Sequence, residues 1–224
     1  MTSAQLREQT RGLLVTFEGG EGSGKSTQIE KLADFLRDRG HAVVTAREPG
    51  TTRVGEAVRD VLLRSAPDDL AAESELALFL AARAQLVAEV VRPALAGGAI
   101  VLLDRFGDSS VAYQGYGRGL DPERVAALNA FFTAGLKPDL SVLIDVPVEA
   151  SKQRTKEHPD RIERAGDAFH RRVRRGYREI AMNESERFVV LDGTDSIAKV
   201  QSAIRDLVRD ALAARILTPR TEPS

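Results

Sequence analysis

The sequence predicts an α/β fold: a five-stranded parallel sheet flanked by helices, with a short lid. Three observations carry this. Short runs of β-forming residues alternate with segments of helical period along the chain. One such run, Ala99–Asp104, is almost wholly apolar, as a strand buried on both faces of a parallel sheet is. The 224 residues are 42% hydrophobic, enough for one domain with a full core.

Each element has its own reason. Gly12–Glu18 is a β-rich run that leads into a glycine cluster. Ile29, Leu32, Ala33 and Leu36 then repeat on one helix face, and Gly40 is placed as a C-cap. Ala42–Ala46 is a second strand. Arg47–Gly50 reads as a loop from its Pro-Gly pair, and Val54–Leu63 as a helix. Leu70–Leu95 is a long helical pattern whose stripe is Ala77, Leu80, Ala84, Val87 and Val91, stopped by Gly97-Gly98. After the strand Ala99–Asp104, Asp121 caps a helix Pro122–Thr133 with Pro122 at its first position.

Leu140–Asp145 is the fourth strand and Val148–Lys156 a helix. A charged stretch follows to Gly166, then a basic helix Ala168–Met182, a fifth strand Arg187–Leu191 and a last helix Ile197–Ala214. The expected organisation is a flexible 1–11, a single domain 12–214 with its lid at about 154–166, and a flexible tail 215–224.

Composition excludes several classes of function. There is no Cys, which removes disulfides, thiol catalysis and Cys-based zinc sites. Three scattered His do not make a His-rich metal site. A net charge of −1 argues against bulk nucleic-acid binding. The polar start has no apolar core of a signal peptide, and Pro93–Leu103 is too short to span a bilayer. A soluble, cytoplasmic protein with no nucleic-acid or membrane partner is the expectation.

Gly19-Gly20-Glu21-Gly22-Ser23-Gly24-Lys25-Ser26 fits G-x-x-x-x-G-K-[ST], between a strand and an amphipathic helix. Glycines let backbone N–H groups curl round a phosphate, and the helix N-terminus adds positive potential. Lys25 would reach the β/γ-phosphates and Ser26 would ligate Mg²⁺. This points to a P-loop NTPase fold that binds ATP or GTP. A flexible Gly-rich turn with a chance lysine is the bland alternative. The Asn-Lys-x-Asp string of GTPases is absent.

Asp104 and Arg105 stand at the carboxyl end of the apolar strand, where open α/β sheets bind ligands. Asp104 is placed to meet Mg²⁺, and Arg105 to clamp a phosphate bidentately. Arg47 lies at the same edge, with Arg59 a weaker candidate. Phe79 and Arg83, four apart, suit stacking on a nucleobase and reading its edge, although a Phe so placed is, taken alone, more often simply core. Tyr113 and Gln114 could line the same pocket. Arg154, Lys156, Arg161 and Arg164 form a charged insertion that is either a solvated loop or a lid delivering an Arg to the transferring phosphoryl group.

Together these residues resemble the bacterial thymidylate kinase family. Its signature is matched by Asp104-Arg105-Phe106-Gly107-Asp108-Ser109-Ser110-Val111-Ala112-Tyr113-Gln114. Phe17–Thr27 resembles its phosphate loop, Arg47-Glu48-Pro49-Gly50 its REPG loop, and Asp160-Arg161-Ile162-Glu163 its lid. The usual pattern continues Gly-Thr after the REPG loop; here it is Thr51-Thr52.

The resemblance implies MgATP-dependent phosphorylation of dTMP to dTDP by a homodimer. ATP would lie on Gly19 to Thr27, with Mg²⁺ on Ser26 and Asp104. Lys25, Asp104, Arg105, Arg154 and Arg161 would be catalytic. The dTMP site would comprise Glu21 near the sugar 3′-hydroxyl, Arg47, Phe79 on thymine, Arg83 on its edge, Arg105 on the phosphate, Ser109 and Ser110 near the base, Tyr113 against the 2′ position, and Gln114. Competing readings are a kinase of another nucleoside monophosphate or small metabolite, and a nucleotide-binding regulator without turnover.

Overall fold

The computed structural model describes residues 12–64, 70–154 and 160–217. In chain order its elements are β1 (Leu14–Glu18), α1 (Lys25–Arg37), β2 (Val43–Arg47), α2 (Arg53–Arg64) and α3 (Ala72–Leu86). A π-helical turn, Val87–Val91, leads into α4 (Arg92–Ala96). Then come β3 (Ile100–Asp104), α5 (Gly107–Ser110), a second π-helical stretch Val111–Gly117, α6 (Pro122–Phe132), β4 (Leu140–Asp145) and α7 (Val148–Lys152). The short 3-10 turn Glu163–Ala165, α8 (Asp167–Asn183), β5 (Phe188–Asp192) and α9 (Ile197–Leu217) complete it.

The strands form one parallel sheet in the order β2-β3-β1-β4-β5. The inner strands β1, β3 and β4 are buried almost throughout, whereas the edge strands β2 and β5 are half-exposed. One face of the sheet packs Val15, Phe17, Leu102 and Val142 against Leu32 of α1 and Ile204 of α9. The other packs Leu14, Val101 and Leu103 against Leu86, Val91 and Leu95. All five strands end in a charged residue: Glu18, Arg47, Asp104, Asp145 and Asp192. The parallel register therefore collects these charges at the carboxyl edge, where ligands of such sheets bind.

The structure corrects several boundaries. The long helix starts at Ala72, and Ala77 is exposed while Leu76 takes its place in the core. Pro93 has no N–H to give to the carbonyl four residues back, and one turn earlier the helix widens so that Arg92 N–H bonds Val87. The helical stretch after Arg105 carries no strong 3.6-residue pattern in the sequence, and half of it is π-helix. Lys152 ends α7, and residues 155–159 of the expected helix and lid lie outside the described residues.

The last helix runs to Leu217, beyond the expected end at 214. Arg215 is anchored to Asp139 and to the Gly12 carbonyl. Of the expected flexible ends, residues 1–11 and 218–224 lie outside the described residues. The caps at Gly40, with φ 85°, and at Asp121, which accepts from Glu123 N–H at 3.0 Å, are as expected.

Candidate active site

The phosphate loop leaves β1 at Glu18. Gly19 has φ 135°, and a Cβ there would sit 2.5 Å from the Ile144 carbonyl oxygen. Gly24 caps α1 with φ 94°. At these positions a side chain would be strained or would collide. Lys25 is buried, and its Nζ donates to the carbonyls of Gly19 at 3.2 Å and Gly20 at 2.9 Å. Burial, then the like charge of Arg105, lowers its pKa. Ser26 Oγ donates to Asp104 Oδ2 at 3.0 Å across the sheet edge. Sequence reasoning pairs these two as metal ligands, and the structure brings them together.

Arg105 adopts a left-handed conformation, φ 72°, which turns its side chain back over the loop. Its Nη1 donates to the Gly19 carbonyl at 2.9 Å and Tyr177 at 3.1 Å. Its Nη2 donates to Glu21 at 2.5 Å and Tyr113 at 3.2 Å. The charge of Arg105 holds the Glu21 carboxyl down at about 2. Burial pushes the Tyr113 hydroxyl up to about 12, so it stays a neutral phenol.

Glu18 was missed as a site residue. Its carboxyl oxygens accept from Phe106 N–H at 2.9 Å, Ser109 Oγ at 2.6 Å and Tyr177 at 3.0 Å. Burial, and then the charge of Asp108, raises its pKa to about 8. The only signal in the sequence was an acid ending an apolar run. Nearby, Arg174 and Arg178 both grip Asp145 at the end of β4, with contacts of 2.6–3.0 Å.

A cavity of about 630 Å³ opens over this edge. The phosphate loop from Glu21 to Thr27 lines one end, Phe79, Ser110 and Gln114 the other, and Arg105, Ser109 and Tyr113 lie on its wall. Arg47 borders it too, paired with Glu56 at 3.1 Å, and Arg59 donates to the Pro49 carbonyl at 2.9 Å. Thr51 takes φ 70°, the conformation that suits the glycine of the usual pattern. Its hydroxyl compensates by accepting from Arg47 N–H at 3.0 Å and donating to the Arg47 carbonyl at 3.2 Å.

Arg83 borders the cavity as expected, but its guanidinium is already committed. Nε donates to Glu48 at 2.7 Å, Nη1 to Ser110 at 2.9 Å and to Asn129, and Nη2 to the Phe106 carbonyl at 3.1 Å while lying 2.7 Å from Glu48. Four of its five N–H groups are thus spent in hydrogen bonds inside the fold, and the fifth lies beside the Glu48 carboxylate. Arg83 here is a buried strut. The other oxygen of Glu48, Oε1, is buried with no hydrogen-bond partner among the described residues, and burial raises that group's pKa.

Of the expected lid arginines, Arg161 stands elsewhere. Arg161 is buried and does not line the cavity. Its Nε donates to the Leu62 carbonyl at 2.7 Å and its Nη2 to Glu75 at 2.5 Å, so an ion pair inside the fold holds it away from the phosphate loop. Arg154 borders the cavity while donating to the Gly193 carbonyl at 3.0 Å. Among the described residues no group of three or more His, Asp or Glu could hold a metal. The exposed Ser26–Asp104 pair does fit a hard cation that keeps most of its ligands as water or phosphate oxygen. No described helix is long and apolar enough to cross a membrane.

Comparison with known proteins identifies the family. The family profile described as thymidylate kinase matches residues 17–204. Thymidylate kinase of Geotalea uraniireducens is 45% identical over 210 residues, covering 90% of this chain and 99% of its own. That of Desulfovibrio desulfuricans is 47% identical, covering 88% and 97%. The crystal structure of thymidylate kinase from Ehrlichia chaffeensis matches with a TM-score of 0.73 at 33% identity, covering 88% of this chain and 98% of that one. The chain belongs to the thymidylate kinase family.

Proposed function

We propose that the protein transfers the γ-phosphoryl group of ATP to dTMP, forming ADP and dTDP. The observation that carries the reading is the single cavity with a phosphate loop at one end, Phe79 and Gln114 at the other, and Arg105 between them. Two phosphorylated substrates held head to head in such a cleft have an effective concentration far above solution values.

In this reading the backbone N–H groups of Gly19–Thr27 bind the ATP phosphates. Lys25 exchanges its carbonyl partners for β/γ-oxygens. Ser26 and Asp104 hold Mg²⁺, which supplies charge neutralisation at the phosphates. Arg105 leaves Glu21 for the dTMP phosphate, and Glu21 is then freed toward the sugar 3′-hydroxyl. Tyr113 crowds the 2′ position, Phe79 stacks on the base, and Ser109, Ser110, Gln114 and Arg47 complete the acceptor site. The attacking oxygen of dTMP is already ionised at neutral pH, so no strong general base is needed. Arg154 is the lid arginine nearest this task. A lid at 154–166, a homodimer and a cytoplasmic address complete the reading.

A coupled ADP-release assay with dTMP, dUMP, dCMP, dGMP and AMP tests it. dTMP is the expected best acceptor, and a higher kcat/KM for any other monophosphate overturns the assignment. Omitting Mg²⁺ should abolish turnover, and sedimentation equilibrium reads the dimer.

A further inference from the structure

Glu75 lies on α3, one turn before Phe79, and does not line the cavity. It is 1% exposed and carries four hydrogen bonds on its two oxygens. Gln114 Nε2 donates to Oε1 at 2.8 Å, Arg118 Nε to Oε1 at 3.2 Å, Arg118 Nη2 to Oε2 at 2.9 Å and Arg161 Nη2 to Oε2 at 2.5 Å. An ionised carboxylate only accepts hydrogen bonds. Burial raises the pKa of Glu75, but the bonds from Arg118, Gln114 and Arg161 outweigh it and hold the pKa below the usual value. The amide nitrogen of Gln114 must therefore face Glu75, and its oxygen must face away.

Gln114 does line the cavity, and its amide oxygen accepts no hydrogen bond among the described residues. Beside it, Ser110 Oγ accepts from Arg83 at 2.9 Å, which leaves the hydroxyl proton for another acceptor. The wall thus presents a donor next to an acceptor. A 2,4-dioxopyrimidine presents the complement, O4 as acceptor and N3–H as donor. Cytosine presents the reverse, an N4 donor and an N3 acceptor.

We propose that Glu75 is a positioning residue that sets the preference for a dioxopyrimidine by fixing the Gln114 amide with its oxygen toward the base. This rests on the dTMP reading above and adds to it the group that orients the base-reading amide.

The test measures kcat and KM for dTMP, dUMP and dCMP in the wild type, Glu75→Gln and Gln114→Leu. A glutamine at 75 can donate as well as accept, so the Gln114 amide is free to turn over. The dTMP-over-dCMP ratio of kcat/KM should fall about tenfold or more, chiefly through KM, because unpaired buried polar groups are what reject a wrong edge. The dTMP-over-dUMP ratio should stay within about twofold, since both bases present the same edge.

Gln114→Leu keeps the wall filled and removes the acceptor. It should lose the same discrimination, and it decides the matter if Glu75→Gln does not fold. A folded Glu75→Gln that keeps the dTMP-over-dCMP ratio, or that weakens all three substrates alike, overturns the proposal. So does a Gln114→Leu that keeps the ratio. A wild type that does not use dTMP overturns the functional reading and the proposal with it, and is recognised before any variant is compared.

Discussion

At the phosphate-loop end of the cleft the shape comes from backbone: glycines at positive φ, and a lysine held by two carbonyls. At the Phe79 end it comes from side chains, an Arg83–Glu48 strut and a Glu75 carboxylate shared by two arginines and an amide. The first end is contiguous in sequence, and its side chains are spare parts of the fold. The second is assembled from the loop after β2, α3, the Val111–Gly117 stretch with Arg118, and the segment before α8, and its side chains are the fold. Substitutions at the two ends should therefore fail in different ways.

The largest expected effect is at the backbone-built end. Lys25→Ala should cut turnover by about a thousandfold or more, because a charge facing the transferred group is lost. Its circular dichroism and melting temperature should barely move. Near-normal ADP release in that variant would break the comparison at once. Next comes the strut. Arg83→Leu leaves the Glu48 carboxylate buried without its partner, at a cost of roughly 3–5 kcal/mol. That corresponds to a fall on the order of 10 °C in Tm for a chain of this size. If Arg83→Leu melts like the wild type and only raises the KM for dTMP, Arg83 reads the base directly and the strut assignment is wrong.

A smaller effect is set by pH. Glu18 has a folded pKa of about 8, above the ordinary value of 4.5. The native state keeps a proton there that the unfolded chain releases. This contribution to stability is complete below about 4.5 and is lost as pH rises through about 8. Between those limits the wild-type Tm should decline relative to Glu18→Gln, and parallel Tm–pH curves for the two would remove Glu18 from the account. The smallest effect is at Thr51→Gly. Relief of a positive φ opposes loss of two hydrogen bonds, so urea unfolding should shift by less than about 1 kcal/mol.

The same contrast governs what could be read before the structure. The sheet, its parallel sense and the phosphate loop follow from local patterns, since each needs only neighbours in sequence. Asp104 and Arg105 follow from one further rule, that ligands sit beyond strand carboxyl ends. Arg161 and Glu75 do not follow, because what each does depends on a partner 86 residues away. Arg83 was recognised as part of the pocket, but its commitment to Glu48 depends on a loop 35 residues earlier. The π-helical turns escape a 3.6-residue reading because each inserts an extra residue into the turn.

Glu18 has a mechanical consequence. Its neighbour in sequence, Gly19, begins the phosphate loop, and its hydrogen-bonded partner Phe106 follows Arg105, the proposed clamp on the acceptor. Both jaws of the cleft are thus gauged from one carboxyl group, with no helix or hinge in the chain of dimensions between them. The tolerance on the donor-to-acceptor distance is that of a buried hydrogen bond.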